Sequence, residues 1–104
     1  MSSADVAMSG LISFASADER ERLAIEIAGL LAESSIQRLT IADPRMCRTR
    51  DIAPRETNLP RELIDAAPGT TFAGDGVALL IDDTCIRWVA TANIAVGLLS
   101  TRPG

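Results

Sequence analysis

Residues 77–90 constrain the fold of this chain more than any other stretch. Val77 to Ile81 is an unbroken apolar run. Cys85 to Ala90 follows, with Ile86, Trp88 and Ala90 on one face and Arg87 and Val89 on the other. Asp82-Asp83-Thr84 between them are turn formers, so the segment reads as an antiparallel hairpin. The first arm is apolar on both faces, which suits a central or doubly covered strand and calls for more strands around it.

The helix that such a sheet needs is equally plain. Ser16 and Glu19 have capping-box spacing, in which a hydroxyl and a carboxylate satisfy free backbone donors at a helix start. Behind them Leu23, Ile27, Leu30 and Leu31 recur at helical spacing, with Ala24 and Ala28 widening the stripe. We therefore expect a helix over 17–33. Ile25 falls on the opposite face, so Leu23, Ile25, Ile27 and Leu30 are candidates for a helix that dimerises. Ile36 to Ala42 reads as a short strand ended by Pro44. Residues 43–60 read as a long polar connection with Pro44, Pro54 and Pro60. A short helix follows, with Asn58 as N-cap, Pro60 in its first turn and Pro68-Gly69 as its stop. Thr91 or Asn93 caps a last helix carrying the pairs Ile94/Leu98 and Ala95/Leu99. Residues 1–15 read as a flexible leader or a late-docking short helix. At 104 residues one domain is expected. Its class is α+β, a small antiparallel sheet of three or more strands against one long amphipathic helix and shorter ones.

Composition narrows the chemistry. The chain has no His, and all 10 basic residues are Arg. The Ser-His and Cys-His nucleophile pairs and two-His zinc sites are thereby excluded. We expect no catalytic residue and no metal site, and the sequence names no cofactor. A net charge of −4 argues against nucleic acid or an anionic membrane as partner, since both are polyanions. Cys47 and Cys85 stand outside any C-x-x-C arrangement and fit two thiols in a reducing compartment. No secretory signal and no apolar run of spanning length is present, so a cytoplasmic, non-membrane protein is expected.

Four segments invite a chemical reading. Gly69 to Asp75 has the two-glycine spacing of a phosphate loop, but Asp75 and Gly76 stand where Lys and Ser or Thr are required, and a strand follows. It is a glycine-rich connection into a strand. Arg45, Arg48 and Arg50 suit an anion, since guanidinium forks match such groups, yet Asp43, Asp51, Glu56 and Glu62 lie among them. Asp82 and Asp83 are turn residues pointing to opposite faces. Trp88, in a chain whose other aromatics are Phe14 and Phe72, is either core or the wall of a pocket or interface.

The stretch Gly76-Val77-Ala78-Leu79-Leu80-Ile81-Asp82-Asp83-Thr84-Cys85-Ile86-Arg87-Trp88-Val89-Ala90-Thr91-Ala92-Asn93 resembles the first hairpin of a GAF domain. The likeness is to the actinobacterial GAF domains that often precede an RNA-binding ANTAR module. It covers about residues 57–102, with the 17–33 helix matching the one through which GAF domains commonly dimerise. A full GAF domain is longer, and no ANTAR-like bundle follows, so RNA binding is not implied. What the resemblance implies is a non-enzymatic sensory or regulatory module that binds a small molecule or a protein partner and forms a homodimer. Phe72, Leu80, Trp88 and Leu98 are the candidates for a ligand pocket or interface. The alternative is a pure protein–protein interaction module with no pocket.

Overall fold

A computed structural model describes residues 7–46 and 48–101. The elements run β1 (Ala7–Ser13), α1 (Ala17–Glu33), β2 (Leu39–Ala42), β3 (Thr49–Ile52), α2 (Leu59–Ile64), β4 (Thr71–Gly74), β5 (Val77–Ile81), β6 (Cys85–Thr91) and α3 (Ala92–Ser100). The six strands form one antiparallel sheet in the order β1-β6-β5-β4-β2-β3. The class is α+β, and the sheet is twice the expected minimum.

The hairpin is present, its second arm one residue longer than expected, with Ile81 opposite Ile86 and Asp82 N–H donating to Cys85 C=O at 2.9 Å. β5 lies between β4 and β6, the central place its apolar run demands. Its inward residues Val77, Leu79 and Ile81 join Ile86, Trp88 and Ala90 of β6, Phe72 of β4, and Leu39 and Ile41 of β2 in one core. The helices cover this face alone. α1 lays Leu23, Ala24, Ile27, Ala28 and Leu31 on it, and α3 adds Ile94, Ala95 and Leu98.

The start of α1 follows the sequence. Ser16 Oγ accepts from Glu19 N–H at 3.2 Å, and the Glu19 carboxylate accepts from Ala15 N–H at 2.5 Å. Its end was not foreseeable locally. The last turn holds no basic residue, and Arg55, from the far connection, donates to the Ala32 and Ser34 carbonyls at 2.9 and 3.2 Å. These are the oxygens left without partners where a helix stops.

Three expectations are corrected. Residues 7–13 are not a leader but β1, paired along its length with β6 from Ala7↔Thr91 to Ser13↔Cys85. Its inward positions Met8, Gly10 and Ile12 conceal the alternation because one of them is glycine. Residues 1–6 lie outside the described part. The 43–60 connection contains β3, which turns back on β2 from Leu39↔Ile52 to Ala42↔Thr49. Thr71–Gly74 is a strand, β4, joined to β5 by the two-residue turn Asp75-Gly76, with Gly76 at φ +87.

One buried polar atom has no partner among the described residues, the Thr70 hydroxyl. The residue is 2% exposed at the entry to β4. A buried hydroxyl without a hydrogen bond carries a desolvation cost of about 1–3 kcal/mol that an isosteric methyl does not. Thr70→Val is expected to raise stability by about 1 kcal/mol, near 5 °C in Tm. A thermal melt that falls instead would mean the hydroxyl is satisfied.

Candidate functional site

The helix-covered face of the sheet is filled by its own side chains. Phe72, Trp88 and Leu98 are all within it, each no more than 3% exposed. Leu80 alternates to the other face. Leu80 and Trp88 nevertheless both line a trough on the open face, and Trp88 and Leu98 both line a smaller dent beside β1, whereas Phe72 lines neither.

The opposite face carries no helix among the described residues. Cross-strand register places its residues in two rows. Ser9, Val89, Ala78, Ala73, Thr40 and Asp51 form one, and Leu11, Arg87, Leu80, Thr71, Ala42 and Thr49 the other. Arg87 and Asp51 are the charged members. Asp51 accepts from the Thr40 hydroxyl at 2.8 Å, and Arg87 lies 3.5 Å from Asp82. Over the centre runs a shallow trough of about 540 Å³, lined by Ser9, Gly10, Leu11, Thr71, Ala78, Leu79, Leu80, Arg87, Trp88 and Val89.

The arginine-rich connection is brought together in one groove of about 590 Å³, lined by Arg45, Arg48 and Arg50 with Asp43, Met46, Ile41 and Thr49. Two of its guanidiniums already hold carboxylates. Arg45 grips Asp43 with Nη2 at 2.6 Å and Nε at 3.0 Å, and this bond holds the Asp43 carboxyl down to about 2. Arg50 clamps Glu62 with both terminal nitrogens, tying β3 to α2, and its pKa is raised by that bond. With Arg55 spent on the end of α1, the cluster is engaged mainly in holding its own segment.

Of the candidate dimer-helix residues, Leu23 and Ile27 are fully buried in the core, and Leu30 is half-buried against α3. There a Cβ on Gly97 would lie 3.0 Å from Leu30 Cδ2. Ile25 alone, 52% exposed, points to solvent. Cys85 is buried with its sulfur 4.0 Å from an Asp82 oxygen, and Cys47 lies outside the described residues. Among the described residues no cluster of three His, Cys, Asp or Glu side chains could hold a metal ion, and no helix is long and apolar enough to cross a membrane. Comparison with protein-family models, curated proteins and solved structures finds no match to this chain.

Proposed function

We propose that this chain is a non-enzymatic regulatory module that acts by binding a partner polypeptide on the open face of its sheet. One observation carries the reading. The face draws on all six strands, is uncovered among the described residues, and carries only two charges among the twelve residues of its rows, with the apolar residues Leu11, Val89, Ala78 and Leu80 gathered at the β1, β6 and β5 end. Pockets for small molecules enclose most of their ligand, and a trough this shallow encloses little. Arg87 at its rim favours an apolar partner segment carrying a carboxylate. The second reading, a GAF-like sensor of a small molecule, is favoured by the hairpin at 76–93 and would use the same trough. Signalling and a cytoplasmic setting belong to both readings, and the buried thiol of Cys85 suits a reducing compartment.

A photo-crosslinking residue at Ala78, with the chain expressed in its native host, tests the proposal. Discrete protein adducts are expected, lost when Leu80→Arg is added and absent when the crosslinker stands at Glu26 on α1. Leu80→Arg should leave the melt of the isolated chain nearly unchanged, since Leu80 is part-exposed. Absence of adducts, or a rise in Tm with a small carboxylate-bearing apolar ligand that Leu80→Arg abolishes, would overturn it in favour of the sensor.

A further inference from the structure

The sheet has two edges, and they are built differently. β3 is four residues long, carries Arg50 and Asp51, and is flanked by Pro44 and Pro54. Short length, charge and nearby proline are the devices by which exposed edges avoid unwanted pairing. β1 has none of them. Its seven residues, Ala-Met-Ser-Gly-Leu-Ile-Ser, include no charge and no proline, and they pair one-to-one with β6 without a bulge. α3, which packs beside β1, is also uncharged throughout and exposes Val96 and Leu99. In a chain with 10 basic and 14 acidic residues, the two elements at this margin, β1 and α3, thus carry no charge.

The hydrogen-bond phase of β1 is known. Phe14 N–H, one step beyond Ser13↔Cys85, donates to Thr84 C=O at 2.9 Å. Backbone groups alternate along an antiparallel strand, so Met8, Gly10 and Ile12 direct theirs to β6. Ala7, Ser9, Leu11 and Ser13 direct theirs outward, and no described residue pairs with them.

We infer that this edge joins a second copy of the chain, β1 to β1 and antiparallel, making one twelve-stranded sheet. β1 is complementary to itself about Gly10. Centred there, Ser9 meets Leu11 of the second copy with their outward backbone groups face to face, and Ala7 meets Ser13. Met8 lies opposite Ile12 on the helix side, and the two Gly10 residues meet at the two-fold axis. Every outward N–H and C=O of the strand gains a partner in that register. Met8 and Leu11, 39% and 49% exposed, lose water contact together with Leu99 behind them. A dent of about 240 Å³ between β1 and α3, lined by Gly10, Leu11, Trp88 and Leu99, gives the second copy a seat. Seven residues make an edge of about 24 Å, and with the sheet and the helix layer each about 10 Å deep the contact is on the order of 500 Å² per copy, the low end for a reversible dimer. The absence of charge on this margin is what a self-pairing two-fold contact requires, because like charges would otherwise meet across the axis. The inference goes beyond the partner-binding reading, since it uses the outward backbone groups of β1. Ser9 and Leu11 also present side chains to the open face, so the two are told apart by Leu80→Arg, which should remove the partner and leave the dimer.

The test is solution mass by size exclusion with light scattering over a hundredfold dilution, with amide hydrogen exchange at both ends of the range. The intact chain is expected to move from near twice 11.0 kDa toward 11.0 kDa on dilution. Amides of Ser9 and Leu11 should be protected only at the concentrated end. Ser9→Pro removes an outward N–H without touching the β6 ladder, and Leu11→Lys puts a charge one residue from the axis, opposite Ser9 of the second copy. Each acts twice across the two-fold and should weaken the dimer about a hundredfold. Should one variant fold poorly, the other and the exchange pattern of the intact chain still decide. A monomer at every concentration overturns the inference, as does a dimer that survives both substitutions or leaves Ser9 and Leu11 exchanging freely.

Discussion

Trp88→Ala is expected to cost about 3–5 kcal/mol, the upper range for truncating a buried aromatic. Trp88 is 3% exposed, stands in β6 between Gly10 of β1 and Leu79 of β5, and is one of three aromatic side chains in the core, with Phe14 and Phe72. Its removal leaves a void that rigid neighbours on both strands cannot close. A domain of this size is stable by about 5–15 kcal/mol, so the loss takes a large share and should lower Tm by about 20 °C. Because this is the single tryptophan, the melt must be followed by circular dichroism. Trp88→Phe, which keeps most of the volume, should lose less than half as much. A shift of only a few degrees for the alanine variant would show that Trp88 lies at a soft margin of the core.

Gly10→Val is expected to cost about 2–3 kcal/mol for the converse reason, overpacking. A Cβ at Gly10 would lie 2.6 Å from Trp88 Cε2 and 2.9 Å from Nε1, distances at which the indole must move. The requirement is for space rather than backbone freedom, since the glycines with positive φ are Gly69 and Gly76. The two positions should therefore be strongly coupled. In a Trp88→Leu background the valine should cost less than about 0.5 kcal/mol, or add stability by filling the space that the indole leaves. Equal costs in both backgrounds, read from urea midpoints, would sink the explanation.

What could be read from the sequence were the elements whose signals are local. The 17–33 helix carries its own cap and stripe, and the 77–91 hairpin its own turn. β1, β3 and β4 were missed because each is defined by what it pairs with. Met8, Gly10 and Ile12 form an inward row only when Trp88 supplies the bulk that Gly10 lacks. The four residues of β3 are polar except Ile52 and become a strand by turning back on β2. For β4 a signal was present and passed over: Asp75-Gly76 is a two-residue hairpin turn, hidden inside what looked like a flexible glycine run. The candidate site was less legible still. Whether Phe72, Leu80 and Trp88 share a side depends on strand phase. A shift of one residue transfers a whole row to the other face. The arginine cluster, read as a locally paired loop with an anion grip as the lesser reading, is paired in the structure, Arg45 with Asp43 and Arg50 with Glu62. What was not legible is that Arg55 reaches back to the end of α1.

The pairing of β1 with β6 also shapes how the molecule comes into being. More than about seventy residues separate the partners in every rung of that ladder. Helix α1 can begin as soon as it is synthesised, whereas β1 has no strand to lie against until the 77–91 hairpin exists. The cost in chain entropy of closing so large a loop is met late, and topologies of this kind fold slowly. During that interval the same uncharged edge residues are exposed on both sides, when adhesion between nascent chains is most hazardous. High expression should therefore tax this chain through its first strand well before any weakness of the finished fold is felt.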